Sequence, residues 1–327
     1  MITKIIDRNS SNMRLDRYLR KAFPDEPLSI FFAILRKKKV RVNGKVAKAN
    51  LLLNEGDTVC IYENLKTQES EKNNFSKKSS WGKTHTYTSA AFLEENLNIV
   101  LETEDYIVVD KPSGIPSQPG SGTRPGESLV EMLWEWGKNN ELDFKPTIAH
   151  RLDQETSGLL IAALHGDTLR ELTKLIREHK MQKYYFALVK GNLNKERGTI
   201  NFSLSRTNAP QGSKMKVEES GKSAITHYQV KERYEGFDLV KIKLETGKMH
   251  QLRAHFAALG HPLAGDSRYG DFALNRELKK VYSLNRLFLH STHLEFDFAG
   301  KRIVVDSPLP PPLKNVLKQM KKIYFNR

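Results

Sequence analysis

The sequence predicts an α+β protein in two units, a small module of two helices and a hairpin at residues 1–65 and a larger domain at 93–327 built on a mixed, largely antiparallel sheet with flanking helices. Three observations predict it. Apolar residues recur at helical spacing in short runs such as Leu15, Tyr18, Leu19 and Ala22, the mark of amphipathic helices. Other runs alternate with period two, as in 226–230 and 239–244, and read as antiparallel strands. Between the units, 66–92 turns polar and loses its periodicity, which reads as a flexible linker. A chain of 327 residues with 39% hydrophobic content is long enough for one large core and one small one.

Charge and cysteine content narrow the function classes. Lys and Arg number 53 against 38 Asp and Glu, a formal charge of +15, which suits a polyanion such as RNA or an anionic membrane surface. No stretch approaches the roughly 18 consecutive apolar residues of a spanning helix, and residues 1–30 lack the apolar core and cleavage site of a signal peptide. No membrane partner is expected. Cys60 is the only cysteine, which excludes an intrachain disulfide and a cysteine-based zinc site and fits a reducing cytoplasm. A cytoplasmic monomer is the expectation.

In the first unit the helix at Leu15 is followed by a second, with Ser29 after Pro27 as its expected N-cap and Ile30, Phe31, Ile34 and Leu35 facing inward. Arg36, Lys37, Lys38 and Lys39 crowd its end, where the helix dipole favours cations. Val40 and Val42 alternate with Arg41 as a strand, Asn43-Gly44 signals a hairpin, and Val59 and Ile61 supply a closing strand. Residues 1–65 hold 13 basic and 7 acidic side chains. A basic run is usually a solvated face, but Arg36, Lys37, Lys38, Lys39 and Arg41 cluster beside one hairpin. Trp81 and Tyr87 in the linker suit either docking or base stacking.

The large domain starts near Leu93. Residues 106–114 read as a strand stopped by Pro112 and Gly114. The glycines at 120–126 superficially resemble a dinucleotide loop, but Pro125 and the spacing break that fingerprint, so no nucleotide cofactor is expected. Helices are expected at Ser128–Trp136, with Leu129, Met132 and Leu133 inward, and at Asp167–His179, with Leu169, Leu172, Leu175 and Ile176 inward. Strands follow at 181–191 and through 198–245, with a basic, irregular stretch from Arg206 to Lys222. A turn-rich loop at 260–271 leads to a helix, an apolar strand holds Leu287 and Leu289, 304–312 closes the sheet, and 313–324 is a terminal basic helix. His250 and His255 lack the i, i+4 spacing of a helical zinc pair and imply no third ligand, so no metal is expected.

The chain turns on His150-Arg151-Leu152-Asp153-Gln154-Glu155-Thr156-Ser157-Gly158-Leu159-Leu160-Ile161, a charged loop entering an apolar strand. Locally, Asp153 suits a turn cap as well as it suits a reactive carboxylate, because Thr156 and Ser157 also bond nearby backbone. The run HRLDQETSGLLIAA resembles the signature of the RluA family of pseudouridine synthases, and further matches extend the resemblance over nearly the whole chain. DKPSGIPSQPG resembles the family's opening motif, KYYFA its second, ETGKMHQLRAH its third and LNRLFLHS its last. VRVNGK after a basic helix end resembles the S4 (αL-type) RNA-binding domain. With SRYGD, the set is most similar to the branch that modifies large-subunit ribosomal RNA.

The resemblance implies a cofactor-independent isomerisation of uridine to pseudouridine in RNA, with base flipping. It implies that Asp153 is the catalytic aspartate, acting on base or ribose or taking the 2′ proton, with Arg253 as its ion-pair partner. Tyr185, in register with Lys183 and Ala187, is implied to stack on the uracil and relay the C5 proton. Arg151 is implied to fill the gap left by the flipped base, Leu289 to close the pocket, and His150, His250 and Gln251 to contact the substrate. Lys248 stands where Arg is frequent in the third motif, a retained cation.

Overall fold

A computed structural model describes residues 1–327 apart from 25, 64, 66–87, 121–122, 208–213 and 326–327. Most of the expected linker, with Trp81 and Tyr87, lies outside the described residues. In the first unit, β1 (Ile2–Ile5), α1 (Leu15–Ala22), α2 (Leu28–Arg36), β2 (Val40–Val42), β3 (Lys45–Val46) and β4 (Thr58–Ile61) form two helices on a four-stranded sheet of order β1-β4-β2-β3. Asn43 and Gly44 both take positive φ, 51° and 78°, as a two-residue hairpin with right-handed strand twist requires. Leu15, Leu19, Phe31, Ile34, Val40, Val59 and Ile61 fill the core. The edge strand β1 was not foreseen, for four residues give too short a period to read. Ser29 is not the N-cap of α2; the cap is Pro27, which makes no side-chain cap bond, and Ser29 lies one residue inside the helix.

The second unit begins with α3 (Ala90–Asn96), ahead of the expected start at Leu93, because the Ser89 hydroxyl accepts the N–H of Phe92 and so caps the helix. There follow β5 (Ile99–Glu102), β6 (Tyr106–Lys111), α4 (Leu129–Asn139), β7 (Thr147–Ile148), β8 (Ser157–Ala163), α5 (Gly166–Arg177), β9 (Gln182–Lys190), β10 (Arg197–Thr207), β11 (Lys214–Val217), β12 (Lys222–Tyr234), β13 (Phe237–Leu244), α6 (Gln251–Ala258), α7 (Phe272–Tyr282), β14 (Leu289–Phe298), β15 (Lys301–Asp306) and α8 (Pro311–Phe325). The sheet runs β11-β10-β12-β13-β9-β14-β8-β6-β5, with β15 on β14 and β7 on β8. Among the described pairs only β14 with β8 is parallel.

Both faces of this sheet are covered. Leu129, Met132 and Leu133 of α4 and Phe256 of α6 pack with Leu160, Ala187 and Val240 on one side. On the other, Leu172 of α5 meets Leu159 and Ile161, while Leu313 and Val316 of α8 meet Leu188 and Phe288. That is why β8 is buried at every position and reads as a continuous apolar run. Two expectations change. The stretch from Arg206 to Lys222 is not wholly irregular, since β10 reaches Thr207 and β11 pairs back on it. Nor does 304–312 close the sheet: β15 ends at Asp306, before Pro308 and Pro310, and pairs only with β14.

Candidate active site

The central strands converge on one pocket of about 310 Å³, lined by His150, Arg151, Asp153, Tyr185, His250, Gln251, Arg253 and Leu289 among others. Every pocket residue expected from the sequence therefore lies in a single cavity. Asp153 comes from the loop between β7 and β8, Tyr185 from β9, Leu289 from the first position of β14, and His250 to Arg253 from the start of α6. Ser291 of β14 sits opposite Tyr185 and beside Gly158 of β8, which draws these walls together. Leu287 is fully buried ahead of the strand and does not line the pocket.

The Asp153 loop is held by the segment after β6. Lys111, fully buried, directs its ammonium to the carbonyls of Pro112, Ile115 and Gln154 at 2.8, 2.7 and 3.2 Å. Burial pushes its pKa down to about 7. The Ser117 hydroxyl donates to the carbonyl of Leu152 and accepts its N–H, and Ser113 donates to the carbonyl of Glu155. The opening motif thus grips the residues on either side of Asp153.

Arg253, 2% exposed, is the electrostatic centre. Its Nη1 lies 3.6 Å from Asp153 Oδ2, an ion pair without a hydrogen bond. Its short contacts go elsewhere: Nε and Nη2 each donate to Asp266 at 2.7 Å, and Nη2 also reaches Glu155 at 2.9 Å. Asp266 is fully buried and also accepts the N–H groups of Arg268 and Tyr269. Burial opposes both charges, and the mutual hydrogen bonds outweigh it: Arg253 is raised and Asp266 lowered from their ordinary values. Asp266, Glu155 and Tyr269 were missed by residue-level reading of the sequence, although the turn-rich loop at 260–271 contains two of them.

His250 takes a left-handed backbone (φ 50°) at the cap of α6. The Tyr269 hydroxyl accepts the N–H of Met215 at 2.7 Å and shares a hydrogen bond of 3.0 Å with His250 Nδ1. The other nitrogen, Nε2, lies 4.0 Å from Asp153 Oδ2. Burial lowers the pKa of His250, and the nearby Asp153 carboxylate opposes that shift. His150 is pushed by burial to about 3, and its enclosed Nε2 has no hydrogen-bond partner. Tyr185 is 4% exposed and burial raises its phenol above the ordinary range. Arg151 is exposed at the rim. Gln251 lines the pocket, but its amide is fully engaged: it donates to Ile225 and Thr226 and accepts from Thr246 and Lys248, so it shapes the wall. His255 bonds Thr226 and Phe202.

Of the basic cluster in the first unit, Arg36, Lys37, Lys38 and Arg41 are exposed, and Lys39 is paired with Glu63. Arg41 lies over the Tyr62 ring at 5.4 Å.

A mixed sheet with a carboxylate and arginine at its centre and a basic module ahead of it suits an enzyme acting on RNA, and the comparisons with known proteins show that class. Residues 105–258 match the family model for RNA pseudouridylate synthase and residues 13–59 that for the S4 domain. The chain belongs to the RNA pseudouridylate synthase family and is an RNA pseudouridine synthase carrying an S4 domain. It is 34% identical over 321 residues to ribosomal large subunit pseudouridine synthase C of Escherichia coli K12, covering 97% of this chain and 95% of that one. The protein of the same name from Buchnera aphidicola is 33% identical over 320 residues, 96% of each chain. Among solved structures, human RNA pseudouridylate synthase domain containing 1 superimposes with a TM-score of 0.55 at 26% identity, over 71% of this chain and 96% of that one. No described helix is long and apolar enough to cross a membrane.

Proposed function

We propose that this enzyme isomerises uridines of large-subunit ribosomal RNA, the substrate its curated relatives are named for, and that it works in the cytoplasm as a monomer. Asp153 is the reactive carboxylate, Arg253 its charge partner, and Tyr185 and Leu289 the walls against the base. The observation that carries this reading is the Asp153 carboxylate 3.6 Å from the Arg253 guanidinium inside a cavity shared with the Tyr185 ring. A pocket of about 310 Å³ has room for one nucleotide and none for a duplex. The target must therefore be flipped out, at a cost of a few kcal/mol. Arg151 at the rim fills the space it leaves, and Arg36, Lys37, Lys38 and Arg41 grip phosphates at a second place.

The chemistry is balanced within the nucleotide. The N1–C1′ bond breaks, the uracil turns, C5 bonds to C1′, the C5 proton leaves and N1 gains one. No electrons or groups are exchanged with a donor, so the reaction needs no cofactor. Asp153 acts on the flipped base or its ribose. Burial keeps Tyr185 a neutral phenol, so it passes the C5 proton on only by releasing its own as it accepts one. His250 lines the same cavity and offers a polar contact to the uracil edge, while the enclosed Nε2 of His150 lies in the pocket wall.

Ribosomal RNA transcribed with uridine tritiated at C5 tests the reading. The parent is expected to release tritium, and Asp153→Asn to release none while keeping the parent's melting temperature. Free uracil as product, or parental tritium release from Asp153→Asn, would overturn it.

A further inference from the structure

The two units touch through a patch built on the 3-10 turn Arg8–Ser10. The Arg8 Nε donates to Asp167 at 3.0 Å, and its Nη2 donates to Asp105. Arg170 of α5 reaches back to the carbonyls of Asn9 and Ser11. Between these, Asn9 Oδ1 accepts the N–H of Gly166 at 3.0 Å. That N–H is the first of α5, and His165 before it makes no side-chain cap bond. A helix is normally capped by its own neighbouring residue; α5 takes its capping oxygen from a residue 157 positions earlier. The glycine at 166 fits the same contact, since a Cβ there would stand 2.4 Å from the Asn9 carbonyl oxygen. Without the module, alanine would suit this helical position better than glycine.

We propose that the S4 module docks on the N-terminus of α5 in one pose and acts as a fixed second anchor, selecting RNAs whose module-binding element and target uridine are suitably spaced. This rests on the reading of the module as RNA-binding. Exposed ion pairs contribute little alone, and the Arg8 side chain is 43% exposed. The tether changes the balance: units joined by a linker meet at an effective concentration in the mM range, so a contact with a Kd of about 0.1 mM stays closed about nine-tenths of the time. Helix α5 also connects the dock to the pocket, because it packs on β8, directly after the Asp153 loop, and its Ile176 lines the cavity.

Spin labels test the docking in the full chain. Lys48→Cys in the module and Lys280→Cys on α7 are both exposed positions, and Cys60→Ser removes the only native thiol. A narrow inter-label distance is expected in the parent and a broad one in Arg8→Glu and Gly166→Ala, the latter with unchanged or raised thermal stability. Both variants should lose about tenfold in kcat/KM on a long ribosomal RNA fragment, as expected when one of two linked contacts is released. On a short hairpin that fills only the cleft they should lose nothing. A parent distribution as broad as the variants', variants as narrow as the parent, or equal loss on both RNAs overturns the proposal. If the distances respond as expected while alanines at Arg36, Lys37, Lys38 and Arg41 leave long-RNA binding untouched, the RNA-binding reading fails and the docking stands.

Discussion

Arg253 faces three carboxylates and makes its shortest hydrogen bonds to Asp266, which does not line the pocket. Asp266 takes both 2.7 Å bonds, while Asp153 is left with a 3.6 Å ion pair. The division has a physical logic: Asp266 fixes the guanidinium, and Asp153 is left without a short bond that would have to break in the proposed reaction. Removing one partner of a buried pair leaves a charge uncompensated, at a cost of about 3–5 kcal/mol. Asp266→Ala is therefore expected to lower stability by that order in urea unfolding, and to lower kcat by about 10²-fold through misplacement of Arg253. A variant with parental kcat would show that Asp266 has no positioning role. Asp153, Tyr185 and Arg253 were legible in the sequence because they sit in recognisable motifs. Asp266 was not, since in sequence an aspartate after Gly265 is indistinguishable from an ordinary turn residue; only its burial reveals its task.

The element that sets the site is β8, and its geometry depends on Gly158. This residue has φ +111°, and a Cβ on it would lie 2.1 Å from the carbonyl oxygen of Ser291 in the parallel neighbour β14. Gly158→Ala must therefore push β14 away from β8 and adopt a strained backbone, and it is expected to cost about 4 kcal/mol or more. Thermal unfolding checks this; a variant that melts within a few degrees of the parent would contradict it. Gly158 was readable as part of a motif, but not as the point where two strands approach, because β14 follows more than 130 residues later. The same limit explains the other misses. Helices α4 and α5 were foreseen from their apolar spacing, and the strands β8 and β9 from their run or alternation. The parallel β14–β8 pair, the side position of β15 and the early start of α3 depend on contacts or a cap that periodicity does not encode.

Over the whole molecule, the two ionic features respond to different variables. Four histidines, the buried His255 and His290 and the half-buried His150 and His250, have pKa values lowered chiefly by desolvation, His150 to about 3. Below their ordinary value of about 6.5 the unfolded chain binds protons that the folded chain refuses, so stability falls as pH drops from about 6.5 towards 3. The urea midpoint should be lower at pH 5 than at pH 7.5, and His150→Gln should shrink the difference; a midpoint independent of pH would contradict this. The net charge of +15 acts instead through salt. Counterions released from RNA make log K fall with log salt by about 0.7–0.9 per phosphate neutralised. Arg36, Lys37, Lys38 and Arg41 are exposed together at and just past the end of α2, and Lys39, paired with Glu63, is not counted with them. If each of those four meets one phosphate, changing all four to alanine should reduce the slope by about 3. The change should be the same for any RNA sequence, because phosphate contacts carry no base information. Titrations of a ribosomal RNA fragment across a salt series measure it directly. A slope equal to the parent's would move the electrostatic grip off this face of the module and onto the cleft, where Arg151 is the exposed cation at the pocket rim.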